Sequence, residues 1–184
     1  MVLKIAILGA ECTGKTTLMA DMAAHLRARG ARVSVVDEVL RQWCAAQGRT
    51  PRADEQVAIM HAQIAAVDAA AGCDYLLCDT TPLVTAVYSD LLFGDHSLYP
   101  VAVAQQRRYQ LTLLAGTDLP WQADGIQRDG PAARDRVDRR LREVLQAHAL
   151  PVYSVCGLGA ARLASATSAL AQCQASIVHA GVPA

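Results

Sequence analysis

Asparagine is absent from this 184-residue chain. That excludes a guanine-reading N-K-x-D motif in its usual form, and with it the ordinary GTPase switch. Lysine is nearly absent too: only Lys4 and Lys15 occur among 17 basic residues, and the rest are arginines. A lysine in a motif therefore carries more information here than in an average chain. Aromatic residues make up only 4%, against 53% hydrophobic residues overall, so Ala, Val and Leu must fill the core. Alanine-rich stretches favour helix by intrinsic propensity. Charge of one sign is not in excess: 17 basic residues balance 17 acidic ones. Bulk charge thus predicts no large nucleic-acid footprint. The six cysteines, Cys12, Cys44, Cys73, Cys78, Cys156 and Cys173, contain no C-x-x-C pair and no zinc-type spacing. Reduced thiols in a cytosolic protein are the plain expectation. Apolar stretches are too short or too interrupted to span a bilayer, and no charged-plus-apolar signal precedes the first strand. These absences predict a soluble, cytoplasmic protein with neither membrane nor nucleic acid as a partner. Self-association into a homo-oligomer stays open.

What the chain does contain is an alternation of apolar runs and helical periodicities. Residues 2–8, VLKIAIL, read as a buried strand, and 15–29 as a helix stopped by Gly30. A second strand is predicted at 32–37 and a helix at 54–71 with Asp54 as its cap. A third strand at 75–80 precedes helices at 82–92 and 98–107. A fourth strand is expected at 109–115, followed by a Gly-, Pro- and Asp-rich loop at 116–130. A charged helix over 131–147, a fifth strand at 151–156 and an Ala-rich helix over 158–178 complete the chain. The alternation predicts one α/β unit over 1–184, a five-stranded parallel sheet with helices on both faces. Ligands of such sheets bind at the carboxyl ends of the strands. These ends read Gly9, Asp37-Glu38, Asp79-Thr80, Gly116 and Cys156-Gly157, so the polar residues gather at that edge.

The stretch GAECTGKTTL at 9–18 fits G-x-x-x-x-G-K-[ST] through Gly9, Gly14, Lys15 and Thr16. Glycines let the backbone curl so that successive N–H groups face a phosphate, and the following helix adds its positive end. Lys15 would neutralise the β- and γ-phosphates, and the Thr16 hydroxyl would ligate Mg²⁺. Glu11, Cys12, Thr13 and Thr17 complete the nucleotide-binding stretch. The motif follows an apolar strand and opens a periodic helix, which is the context a P-loop NTPase requires. A carboxylate ending a neighbouring strand should hold the metal through water. Asp79 fits, although a strand-end cap would also place an acid there.

Transfer of the phosphoryl group needs an acceptor-side carboxylate, a pocket, and arginines over the transferring group. Asp37-Glu38 offers the carboxylate, which would take or hold the proton of an attacking hydroxyl. Adjacent residues of an extended segment face opposite sides, so one of the pair points into the site; a solvated loop with helix capping would use the same two residues. Arg41 follows one turn on. The segment 117–136 carries Trp121, a surface on which a ring could stack, and Arg128, Arg134 and Arg136, which could clamp phosphate bidentately. Its bland alternative is a surface loop with Trp121 tucked inward and the arginines paired to Asp129, Asp135 and Asp138. Arg139, Arg140 and Arg142 are expected on the solvated face of helix 131–147. At this length a large ATPase machine is not expected.

The stretches GAECTGKTT, VVDEVLRQW, LCDTTPLVTAVYS and PWQADGIQRDG together resemble the ribosylnicotinamide kinase domain of NadR-type NAD-biosynthesis proteins and its small stand-alone ATPase relatives. The likeness runs along nearly the whole chain. The first motif is common to all P-loop proteins, and the PW-x-x-DG-x-x-R-like stretch is more specific. The resemblance implies a nucleoside-kinase-like fold that takes ATP and Mg²⁺ and phosphorylates the 5′-hydroxyl of a nucleoside acceptor. On that resemblance Lys15 and Thr16 hold ATP, while Glu38 and Arg41 match the acidic and basic positions of an E-Y-x-R-E stretch. Asp79 matches an acidic strand end. Trp121, Asp124 and Arg128 match a segment beside acceptor and lid, with 116–136 as the lid. Val39 stands where the family has tyrosine, Gln42 where it has a second acid, and Gln127 is an extra residue before Arg128. The resulting expectation is a nicotinamide riboside kinase. The alternatives are a kinase of another nucleoside or metabolite, or an ATP-binding regulatory ATPase.

Overall fold

The computed structural model describes residues 2–122 and 130–179. Five strands form one sheet: β1 (Leu3–Leu8), β2 (Val33–Val36), β3 (Tyr75–Asp79), β4 (Leu111–Ala115) and β5 (Tyr153–Val155), in the spatial order β2-β3-β1-β4-β5. Every pairing is parallel. Parallel neighbours need crossover connections, and here these are α1 (Lys15–Arg27), α2 (Val39–Gln47), α3 (Gln56–Ala69), α4 (Pro82–Phe93), α5 (Tyr99–Gln106) and α6 (Gly130–Ala147), with α7 (Ala160–His179) closing the chain.

The strands read as continuous apolar runs because both faces are covered. Along β1 the side chains alternate. Ile5 and Ile7 pack with Leu113, Val155 and residues of α1 and α7, whereas Ala6 and Leu8 pack with Leu114 and residues of α3 to α6. Period-two alternation in a strand thus divides one sheet between two cores. The amphipathic α6 buries Ala133, Val137, Leu141, Val144 and Leu145.

The expected α/β architecture is therefore present, with three local differences. The helix expected to begin at Asp54 starts as α3 at Gln56, after a short 3₁₀ turn over Ala53–Glu55. Asp54 does not cap it; Glu55 reaches back to the Arg52 N–H at 2.8 Å. Helix α2 was not foreseen as an element. It buries only Leu40 and Cys44 over nine residues, too narrow a stripe to stand out by periodicity. Arg140 is not simply solvated: its Nε lies 3.0 Å from Asp90 Oδ2, and Tyr99 Oη donates to the same oxygen at 2.6 Å, which ties α4, α5 and α6 together.

Candidate active site

The site is assembled at the carboxyl edge of the sheet. Strand β1 ends at Leu8, and the chain turns through Gly9 with φ +150°, a conformation that side chains rarely adopt. A Cβ there would lie 2.7 Å from Thr13 Oγ1 and 3.1 Å from the Ala115 carbonyl. Glycine is thus required by both backbone angle and space. Cys12, with φ 54°, and Gly14, with φ 72°, curl the loop before α1 begins at Lys15. The curl is braced from inside: Thr13 Oγ1 and Lys15 Nζ each donate to the Ala10 carbonyl at 2.8 Å. Helix α1 has no side-chain cap, so its first N–H groups are left for a ligand. A cavity of about 540 Å³ opens over this loop, lined by Cys12 to Thr17, Arg41, Leu119, Pro120, Gln122 and Leu158. That volume is in the range of small-ligand and cofactor sites.

Strand β3 brings Asp79 beside the loop. Thr16 Oγ1 donates to Asp79 Oδ2 at 2.6 Å, and among the described residues the buried Asp79 Oδ1 has no hydrogen-bond partner. A hydroxyl and an unsatisfied carboxylate oxygen next to a phosphate cradle form the donor set that suits Mg²⁺, which keeps several waters and takes few protein ligands. Thr16 and Asp79 therefore fit that cation.

After β2 the backbone places the two acids differently. Asp37 is exposed, and Glu38 is 7% exposed. Burial pushes the Glu38 carboxyl above its ordinary value; Lys15 pulls it down, Asp79 adds to the upward push, and Arg41 pulls it down. Glu38 thus lies within electrostatic reach of both halves of the nucleotide site. Arg41 Nε sits 3.5 Å from Glu38 Oε2, and its Nη1 donates to Thr16 Oγ1 at 3.4 Å. Gln63 from α3 fixes the segment by accepting the Val39 N–H at 2.9 Å. Glu11 does not line that cavity; it accepts from Tyr88 Oη at 3.2 Å and lines a small recess together with Arg136.

The segment after β4 folds against the cradle. Cys12 Sγ donates to the Gln122 carbonyl at 2.8 Å. Arg134, expected as a charge over the transferring phosphate, is 11% exposed and donates to the Leu119 carbonyl at 2.9 Å. It ties α6 to this segment. Trp121 is half-buried, its indole Nε1 lies in the interior, and it does not line the cavity, whose wall is made by its neighbours Pro120 and Gln122. Asp124 and Arg128 lie outside the described residues.

One buried residue at the site edge was not singled out from the sequence. Arg162, in α7, is 5% exposed and reaches the carbonyl of Thr13 in the phosphate loop at 2.6 Å. It also reaches Gly116 O at 3.2 Å, Gly157 O at 3.0 Å and Asp118 Oδ1 at 3.0 Å. Asp118 in turn accepts the Gly157 N–H at 2.6 Å. Burial pushes the Asp118 carboxyl up, but the Gly157 and Arg162 hydrogen bonds outweigh this and hold it below its ordinary value.

The geometry is that of a known fold. Its solved relatives include the NadR protein in complex with NR, with TM-score 0.72 and 21% identity over 93% of this chain and 51% of that one. They include the NadR protein in complex with NAD and AMP-PNP, with TM-score 0.73 and 20% identity over 93% and 49%. A thymidylate kinase from Ehrlichia chaffeensis follows, with TM-score 0.66 and 12% identity over 92% and 98%. The chain spans about half the length of the NadR structures it matches. At these identities the likeness is one of fold. No curated protein matches by sequence. A family model described as an AAA domain matches residues 4–162, which is most of the chain, and the protein belongs to that family.

Proposed function

We propose that this chain, as a single unit over 1–184, is an ATP-dependent kinase that phosphorylates the 5′-hydroxyl of a nucleoside, with nicotinamide riboside as the leading acceptor. The observation that carries the reading is Glu38, a buried carboxylate held beside Lys15 and Asp79 at the mouth of a P-loop. ATP occupies the cavity over 9–17, with Lys15 and the free N–H groups of α1 on its phosphates. Mg²⁺, held by Thr16 and through water by Asp79, would neutralise charge on the phosphates when bound. Glu38 accepts the proton of the acceptor hydroxyl as its oxygen bonds to the γ-phosphorus, while the bond to the β-phosphate oxygen breaks and ADP leaves. Asp37, exposed, is the second choice. Arg41, beside both Glu38 and Thr16, steadies the acceptor side. Trp121, Asp124, Arg128 and Arg134 belong to the proposed acceptor and lid segment 116–136, of which Leu119, Pro120 and Gln122 already wall the cavity.

The fold likeness to NadR bound to NR and to a thymidylate kinase supports a nucleoside or nucleotide acceptor. Among the described residues no helix is long and apolar enough to cross a membrane, and the proposal places the chain in the cytoplasm. The test is a panel of nucleosides, deoxynucleosides and nicotinamide riboside incubated with ATP and Mg²⁺ and read by product mass. A phosphorylated nucleoside is expected. ADP release at the same rate without acceptor, and no phosphorylated product from the panel, would replace the kinase with a regulatory ATPase.

A further inference from the structure

The buried guanidinium of Arg162 has no part in the reading above, yet it holds three separate pieces of the site edge. Its Nη2 donates to the carbonyl of Thr13 in the phosphate loop at 2.6 Å and to Gly116 after β4 at 3.2 Å. Its Nη1 donates to Gly157 after β5 at 3.0 Å and to Asp118 at 3.0 Å. Burying a cation is costly unless it is paired and hydrogen-bonded. Here one carboxylate supplies the pairing, and with three carbonyls it takes up Nη1 and Nη2, while among the described residues the buried Nε has no hydrogen-bond partner. Lysine, a compact ammonium, does not match such a planar set of acceptors.

The contact with Thr13 has a directional consequence. In a planar trans peptide the C=O and the following N–H point in opposite directions. Drawing the Thr13 carbonyl toward α7 aims the Gly14 N–H the other way, toward the cavity that Gly14 lines. Gly14 holds the left-handed conformation, φ 72°, that this peptide orientation uses. We propose that Arg162, seated by Asp118, is a positioning residue that presets the phosphate loop for the triphosphate and locks it to the loops after β4 and β5. It touches no nucleotide atom. It works by removing the alternative orientations of the Thr13–Gly14 peptide before the ligand arrives, so that binding does not have to order them. The inference rests on the nucleotide-site reading.

The experiment compares wild type with Arg162→Met, Arg162→Lys and Asp118→Asn, titrated by calorimetry with ATP plus Mg²⁺ and with inorganic tripolyphosphate. Circular dichroism and thermal melts fix a temperature at which every variant is folded. Losing a charge-assisted hydrogen bond to the loop should weaken both ligands by roughly 10- to 100-fold in Arg162→Met. Equal weakening of the two ligands is the signature, because the cradle and not the base contacts has loosened. Arg162→Lys should fall between, and Asp118→Asn should shift both ligands in the same direction by less. In turnover assays KM for ATP should rise while KM for the acceptor holds. If Arg162→Met does not fold, the other two variants carry the test. Folded variants with lower melting temperatures but unchanged affinities would overturn the inference alone, because Arg162 would then serve only the fold. A wild-type protein that binds neither ligand would overturn the nucleotide reading and this inference with it.

Discussion

Replacing Glu38 with Gln separates phosphoryl transfer from nucleotide binding. The residue is 7% exposed, and Gln matches its shape, so packing is retained. What is lost is the charge and the capacity to take a proton. A positioned general base contributes about 10²- to 10⁴-fold in rate, which is about 3–5 kcal/mol of barrier. The loss of the Arg41 pair adds little. It is 3.5 Å long with a guanidinium side chain 51% exposed, and exposed pairs are worth under about 1 kcal/mol. Glu38 does not line the cavity over the phosphate loop, and removing its negative charge beside Lys15 favours an anionic ligand. KM for ATP should therefore stay level or fall while kcat collapses. The pH dependence gives a second readout. Burial raises the Glu38 carboxyl above 4.5. A raised acid stabilises the fold below its unfolded value, and that contribution is lost as pH rises through the folded value. Above that raised value the wild type carries a destabilising buried charge, and Glu38→Gln should melt no lower than wild type and increasingly higher as pH rises through it. Wild-type kcat should fall as pH drops through the raised value, and the variant should lack that limb. The assays are steady-state kinetics from pH 5 to 8 and thermal melts over the same range. A loss in kcat smaller than about tenfold, or about 1.4 kcal/mol, would refute the assignment of Glu38 as base.

Asp79→Asn, which keeps an acceptor for Thr16 but removes the charge, should raise the Mg²⁺ concentration needed for half-maximal transfer, as read by a metal titration at fixed ATP. Gly9→Ala should weaken ATP binding and lower the melting temperature, because the new Cβ meets Thr13 Oγ1 at 2.7 Å at φ +150°; the backbone strain alone costs on the order of 1–3 kcal/mol. Leu113→Ala, at a fully buried position in the core shared by α1 and α7, should lower stability by about 2–5 kcal/mol in urea unfolding while folded protein keeps its kcat.

How much of this was legible depends on the range over which each signal acts. The parallel sheet was readable because strand runs such as VLKIAIL and YLLCD are buried on both faces, and burial is written into each residue in turn. The order β2-β3-β1-β4-β5 was not, since no single strand records which neighbour it takes. Helix α2 escaped for a related reason. It leans on α3 through Leu40, Cys44 and Ile59, a small satellite core made by pairing rather than by a long stripe of its own.

The site divides along the same line. Gly9, Gly14, Lys15 and Thr16 are contiguous, and their chemistry is local: a curl, a cation and a hydroxyl within one turn of a helix. Choosing between Asp37 and Glu38 required only the alternation of an extended chain, but deciding which of the two faced inward needed the partner elements that bury Glu38. Arg134 and Arg162 show the limit. Both are arginines near the ends of charged or alanine-rich helices, with nothing in their neighbours to tell them from solvated ones. Arg134 was expected either as a phosphate clamp or as a paired surface arginine, and its guanidinium donates to the Leu119 carbonyl. Arg162 was expected in the closing helix and lies there, but its side chain reaches a loop 149 positions away in sequence. A buried cation must find acceptors, and in a parallel sheet the free carbonyls cluster where the strands end, which is where the phosphate loop also lies. The same edge that exposes N–H groups to a ligand on one side leaves carbonyls on the other, and a residue that satisfies those carbonyls shapes the ligand site without touching it.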